Sequence, residues 1–510
     1  MSTLTDKANR HTIIDRRDGE YICFPDVVRA ADGTLIVAYN EQDKHIQPKR
    51  RVVLTKVSRD DGTTWSDIVR MDSARSHCPR LTLLDDGEII LADASRVFFH
   101  STDNGTTWQT SPVSGISHDM LDRVLHLGGD SFLTTGHSHV GEEYSAIGQA
   151  LTEQMVYRSD DHCRTWQPLG AIAAERNLVL CEASMTRLAD GRIIALLREN
   201  SFIYEPMYLC ISEDEGKSWS APLPTPLIGH RPTMGLIDDG RLLVTYRNVA
   251  PDMGTAAWVG SLDELTTDFA VHGRHEKPDN PMLTPDGLHV KNESGIGSVV
   301  RYALRPMTDP RTATAVLEAE LRVDEADENG CGLRLGVWWH ITPEDITPEV
   351  EDVDPIPLEK GFNVLRLEYA RGKVTLFVNG ELKTAISVDD DHAFTRPILF
   401  GAPYPFENNA VDCIWKRVSL TVDEPSLNRK YEWNWKAEDG LPDQWAQDTI
   451  LELKNDRYAA SPDFGYSGWT QLADGSFYCV YHQGGGQEEG YEPLMSAHVM
   501  GTRFSLDDFK

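Results

Sequence analysis

The chain lacks most of the signatures that announce a function. None of its 510 residues fall into a G-x-G-x-x-G dinucleotide turn, a phosphate-binding G-x-x-x-x-G-K-[ST] loop or an H-E-x-x-H metal helix. No apolar run is long enough to cross a bilayer. The opening stretch MSTLTDKANRHTIIDRRDGEY carries no apolar signal core, so a cytoplasmic protein is expected, or a secreted one if a leader has been removed. Eight cysteines are scattered without paired spacing, which argues against a disulfide framework or a zinc ribbon and for free thiols. Basic residues are few: 49 Lys and Arg against 80 Asp and Glu leave a net charge of −31. That field repels phosphate, so neither nucleic acid nor a membrane is expected as a partner. Helical periodicity is missing too, which leaves β-structure to build the core.

What is there repeats. DVVRAADGTLIVAYNE (26–41), RLTLLDDGEIILADAS (80–95), RVLHLGGDSFLTTGHS (123–138), SMTRLADGRIIALLRE (184–199), TMGLIDDGRLLVTYRN (233–248) and GWTQLADGSFYCVYHQ (468–483) share one pattern. Each is an apolar strand, a turn built on Gly with Asp, and a second strand, which is a strong hairpin signal. Six hairpins without helical spacing predict a β-propeller rather than a solenoid. A second motif lies between them: SRDDGTTW (58–65), STDNGTTW (101–108), SDDHCRTW (159–166) and SEDEGKSW (212–219) all read S-x-D-x-x-x-[ST]-W. The Asp and Ser can bond the turn's own backbone and the Trp can fill a seam between blades, so these are structural staples. Cys163 stands where the other copies have Gly.

These boxes resemble the Asp boxes of the sialidase superfamily, over roughly residues 10–275 and 425–510. The resemblance implies an all-β, six-bladed propeller, in agreement with the hairpin count. Blades one to five are expected over 1–280 and blade six with the ring closure over 426–510. Between them, GKVTLFVNGELK and its alternating neighbours resemble a concanavalin-like jelly roll, so an inserted β-sandwich is expected over 285–425. A structural or dimerising role suits that insert better than sugar binding, and a homo-oligomer stays open. Its acidic stretch 342–357 reads as a surface loop.

In a propeller, the leading ends of the inner strands and the loops after the hairpins converge on one mouth. Those positions hold Cys23, Asp26, Asp43, His45, His77, Arg80, His118, Asp119, Asp122, Arg123, Glu182, Arg198, His230, Arg231, Arg247, Tyr466 and His482. Burying so many polar groups would be unfavourable in a plain core. Carried over residue by residue, the resemblance puts Tyr466 at the tyrosine nucleophile, Glu182 at the carboxylate that activates it, and Arg198 among the arginines that grip a substrate carboxylate. Arg231 and Arg247 are candidates for the remaining arginine, with Arg80, His118 and His482 as further substrate contacts. The chain departs from the family twice: Cys23 stands at the first triad arginine, and His482 at the glutamate that pairs with it. The acid/base aspartate has no clean match, and His45 or Asp43 falls nearest.

The reading that results is a sialidase-like exo-glycoside hydrolase. It would release a terminal acidic or deoxy sugar from an oligosaccharide without a cofactor. One alternative is a metal-assisted uronate lyase using a divalent ion at His77, His118, His137, His139 and His230. The other is a non-catalytic glycan-binding protein.

Overall fold

The computed structural model describes every residue except 72–75, 94–96, 145–149, 176, 278, 296–298, 389–395, 403–406, 462, 487–489 and 510, together with the side chains of 141–144 and 150. Six sheets of four or five strands, antiparallel except for one short parallel edge, form the propeller. Five of the six hairpins use one turn. In the first, Gly33 N–H donates to Ala30 O (2.9 Å) and Ala30 N–H to Thr34 O (2.8 Å), with Gly33 at φ +92°. That is a type I turn closed by a left-handed residue, which is why Gly follows Asp there. The same pair of bonds recurs around Gly87, Gly191, Gly240 and Gly475. The third blade turns instead through Gly128 and Gly129, both at positive φ.

The second strands Leu35–Gln42, Ile193–Glu199 and Leu242–Asn248 open on apolar runs and end on polar residues, and every residue in these three is buried. Neighbouring blades cover both faces, so alternation disappears. One apolar cluster fills each seam: Ile36 with Phe99, Phe98 with Trp166, Tyr208 with Ile172, Met207 with Trp258, Leu243 with Phe504, and Val480 with Tyr39. The Asp boxes bond as expected. In the first, Asp60 accepts from Thr64 N–H (2.8 Å) and Ser58 Oγ accepts from Gly62 N–H (2.9 Å). The other three repeat the pattern, the third with Cys163 at φ +62° in the Gly place.

The chain's first strands close the ring. His11–Asp15 pairs with His498–Phe504 in blade six, and Ser2–Thr3 lies parallel to Leu451–Glu452 in blade five. Ile450–Asn455, read from the sequence as the start of the last blade, is a strand of blade five. Nothing local could reveal this, because a strand's neighbour is chosen in space.

The inserted region forms two antiparallel sheets of seven and eight strands around a shared core that includes Leu317, Trp339, Leu367, Phe400, Trp415 and Leu420. Its strands begin at His272–His275 and end at Arg429–Lys436, outside the 285–425 span read from the sequence. The acidic stretch is not all loop, since Asp345–Pro348 and Ile356–Pro357 are strands of the seven-stranded sheet. Ile228, Val249 and Ala250 of the propeller join the insert's core. Glu205, in the loop after blade four's second strand, receives hydrogen bonds from Arg429 (2.9 Å) and Thr308 (2.8 Å) of the insert. No helix among the described residues is long and apolar enough to cross a membrane.

Candidate active site

Near its start, each blade's inner segment holds one residue in left-handed backbone: Phe24 (φ +55°), Cys78 (+54°), Met120 (+52°), Glu182 (+50°), Arg231 (+47°) and Gly465 (+73°). In blades one, four, five and six the strand register breaks across this residue, which marks a bulge. Non-glycine side chains are rare in that conformation and persist only where the surroundings enforce it. The enforcement is visible two residues on. Asp26, Asp122 and Ser184 each accept the backbone N–H of a residue in the following blade: Leu81 (2.9 Å), Met185 (2.9 Å) and Met234 (3.1 Å). The side chains of the left-handed residues then meet near the axis, where Phe24, Cys78 and Met120 share a buried cluster with Tyr466. Blade six has Gly465 instead, and a Cβ there would lie 3.1 Å from Arg247 Cα.

Glu182 and Tyr466 form the centre. Tyr466 Oη donates to Glu182 Oε1 (2.8 Å), while Arg198 Nη1 donates to Glu182 Oε2 (2.9 Å) and to Tyr466 Oη (2.7 Å). Arg198 also donates to Asn200 Oδ1. Arg247 lies over the Tyr466 ring, 4.8 Å from its centroid, and donates to His230 Nδ1 (2.8 Å). Arg231 is buried, with Nη2 on Leu121 O (3.1 Å); among the described residues its Nε and Nη1 meet no acceptor. Burial favours the neutral acid at Glu182, but the Arg198 and Arg231 charges outweigh it and hold the carboxyl well below its usual range. Burial pushes the Tyr466 phenol well above its ordinary value, against the pull of Arg198. The resting pair is therefore a neutral phenol on an ionised carboxylate.

A second cluster borders the first. His45 Nδ1 lies 2.7 Å from Asp463 Oδ1 and 2.8 Å from Tyr21 Oη, and Tyr21 donates to Asp463 as well. His482 Nε2 is 3.6 Å from the same carboxylate oxygen. Burial would raise the Asp463 carboxyl, yet the neighbouring imidazoles of His45 and His482 keep it well below the usual range. Phe24 separates and touches both clusters, with ring centroids 5.2 Å from Tyr466, 5.5 Å from His45, 5.1 Å from His482 and 4.9 Å from His77.

Glu182, Arg198, Arg231, Arg247, Tyr466, His45 and His482 are thus joined by contacts or close charges, and other expected residues lie apart. Arg80 is buried on the axis, donating to Ser467 O (3.2 Å) between Asp26 (3.7 Å) and Asp122 (4.0 Å). Burial, and then the neighbouring Arg231 charge, lower its guanidinium to about 10. Asp43 accepts from the backbone N–H groups of Lys49 (2.9 Å) and Arg50 (3.2 Å), shaping its own loop. His118 bonds Tyr157 and, at 3.3 Å, Glu153. Among the described residues, the histidines proposed as metal ligands do not bring three ligand atoms together. His137 receives Glu182 N–H (3.4 Å), His77 packs on Phe24 and His230 on Phe202 (4.5 Å), while the rings of His137 and His139 are 6.3 Å apart. Burial lowers His137 to about 4 and His77 to about 3.

Three participants escaped the sequence reading. Asp463 stands three residues before Tyr466, and its carboxylate lies 3.6 Å from His482 Nε2, the residue that replaces the family's glutamate. Cys23, the other departure, accepts from Gln42 (3.1 Å) and stays buried. Phe24 gave no signal beyond its place in C-F-P. Phe202 is 47 % exposed, with Arg198 and Arg247 lying 5.4 and 5.8 Å from its ring centroid. Its φ of +58° is a strained setting that no sequence pattern reveals.

Residues 88–252 match the model of the BNR repeat-like domain. That span lies within the six-bladed β-propeller, whose four Asp boxes it partly covers. Solved structures with a related trace include a protein of unknown function from Dyadobacter fermentans (17 % identity, TM-score 0.42, covering 77 % of this chain and 98 % of that one). A Trypanosoma rangeli sialidase in complex with sialic acid is 12 % identical, with a TM-score of 0.34 and coverage of 80 % and 82 %. A Penicillium chrysogenum α-L-arabinanase complexed with arabinobiose is 14 % identical, with a TM-score of 0.40 and coverage of 58 % and 92 %. At this distance none of them says what this chain binds. No curated protein matches it.

Proposed function

We propose that the mouth is the active site of an exo-glycoside hydrolase acting on a terminal sugar that bears a carboxylate. The observation that carries this reading is the shared phenol: Tyr466 donates a hydrogen bond to Glu182 and accepts one from Arg198. A buried tyrosine is a weak nucleophile unless a neighbouring base removes its proton as it attacks. A neutral nucleophile also suits an anionic sugar, since a carboxylate in its place would repel the substrate.

The electrostatics suggest how binding and activation couple. In the free protein, Glu182 is held ionised by Arg198 and Arg231 and has little appetite for a proton. A substrate carboxylate that engages the arginines offsets their charge and strengthens Glu182 as a base. Attack by Tyr466 Oη on the anomeric carbon then moves the phenolic proton to Glu182, and the glycosidic C–O bond breaks. His45, oriented by Asp463, protonates the departing oxygen; water assisted by the same imidazole releases the sugar from the tyrosine.

Product analysis tests this directly. Oligosaccharides ending in ulosonic or uronic acids would be offered to the wild type and to Tyr466→Phe, with and without a chelator. Release of a saturated acidic sugar that needs Tyr466 and ignores the chelator is expected. An unsaturated product, or release undiminished in the variant, overturns the mechanism.

A further inference from the structure

The hairpin turns and Asp boxes lie at the opposite ends of the strands from the mouth, and one seam there is chemically unlike the rest. Glu88 follows the blade-two hairpin turn, His100 lies on the adjacent strand Val97–Ser101, and His162 belongs to the Asp box of blade three. Glu88 Oε1 is 2.8 Å from His100 Nδ1, and Glu88 Oε2 is 2.6 Å from His162 Nε2. The three ligand atoms lie within 4.8 Å of one another, the only such group among the described residues. All three side chains are half-buried, so an ion could reach them. We propose that Glu88, His100 and His162 bind a divalent transition-metal ion of the zinc type, clamping blade two to blade three.

Donor type and spacing both suit it. Two imidazoles and a carboxylate, with water in the fourth position, are an ordinary zinc set, and bonds of about 2.0–2.2 Å place tetrahedral ligand atoms about 3.4 Å apart. The His162 ring is already held in place, meeting Phe132 edge-on at 5.5 Å with its Nδ1 3.7 Å from Asp130 Oδ1. A carboxylate behind a ligating histidine is the usual means of fixing its tautomer. In the metal-free protein His100 Nδ1 and His162 Nε2 carry the protons that Glu88 accepts. On binding, those protons move to the other ring nitrogens, that of His162 facing Asp130. The box itself tolerates other residues at this place. Asp61, Asn104 and Glu215 occupy it in the other three copies, also at positive φ, so a histidine is not demanded by the turn.

The test uses the full-length, tag-free protein stripped with a chelator and titrated with Co²⁺. One equivalent should bind with the visible absorption of a four-coordinate ion, Zn²⁺ should displace it, and Zn²⁺ should raise the thermal unfolding midpoint. His162→Asn keeps a residue the turn accepts, as Asn104 shows. It should weaken binding by more than the 10–100-fold expected of an outer-shell change and remove the midpoint rise, leaving metal-free stability close to wild type. Glu88→Gln should do the same. Absence of a saturable first equivalent, or binding that persists in a His100→Gln/His162→Asn double variant, overturns the proposal.

Discussion

The two ends of the propeller use repetition in opposite ways. At the Asp-box end, four turns share a Ser, an Asp, a Thr or Ser and a Trp making the same bonds, each Asp accepting from the Thr or Ser four positions on. At the mouth, six equivalent left-handed positions carry Phe, Cys, Met, Glu, Arg and Gly. The recurring Ser and Asp of a box bond within its own eight residues, so that part of every copy can be alike. The residues at the mouth take partners from other blades, as Glu182 takes Tyr466 of blade six, and their differences create the chemistry. Sameness marks the scaffold here, and difference under equivalent geometry marks the site.

The sharpest way to break this contrast is at Tyr466. Tyr466→Phe removes one oxygen from the mouth and should lower kcat by about three orders of magnitude or more, with the unfolding midpoint nearly unchanged. A kcat within tenfold of wild type would remove the nucleophile from the mechanism. Asp463→Asn should come next, a loss of about 10²-fold on natural glycosides, because His45 would lose the carboxylate that orients it. An aryl glycoside whose leaving group needs no protonation should regain most of that loss; equal loss on both substrates would make Asp463 structural.

Stability should depend on pH through the buried imidazoles. Burial lowers His498 to about 4 and His230 well below its ordinary value. Between roughly pH 6.5 and 4 the unfolded chain therefore binds protons that the native protein refuses. Stability falls as pH falls through that window, by up to about 1.4 kcal/mol per pH unit for each such histidine. Urea midpoints measured from pH 7 to pH 4 should show the slope, and His498→Gln should flatten it; a pH-independent midpoint would contradict the buried neutral state.

The smallest effect belongs to the box end. Asp60→Ala removes side-chain acceptors from a solvent-facing turn and should lower stability by on the order of 1 kcal/mol, with kcat/KM unaltered. A change in kcat/KM there would show that the two ends are coupled and that the contrast is too simple.

At the mouth end, the loop after blade four's second strand sets Phe202 against Arg198 while Tyr204 packs on the insert and Glu205 holds Arg429. This makes the insert part of what shapes the mouth, although its own strands lie elsewhere in the chain.

The blade count, the hairpin turns and the staples were legible because each is local. An Asp-Gly turn needs only its own glycine, and the Ser and Asp of a box bond within it. Glu182, Arg198 and Tyr466 were legible through equivalent positions in separate repeats. Other features were decided in space. Asp463 became a partner of His45 and His482 because the sixth blade sits beside the first. Arg80 became an axial strut because Ser467 O lies across the channel, and Ile450–Asn455 joined blade five because its free edge was there. The sequence alone determined the repeating unit, since short-range turn chemistry and apolar runs fix it. Tertiary structure alone decided which charges are neighbours, because burial and partnership set whether a carboxylate, an imidazole or a phenol is ready for chemistry.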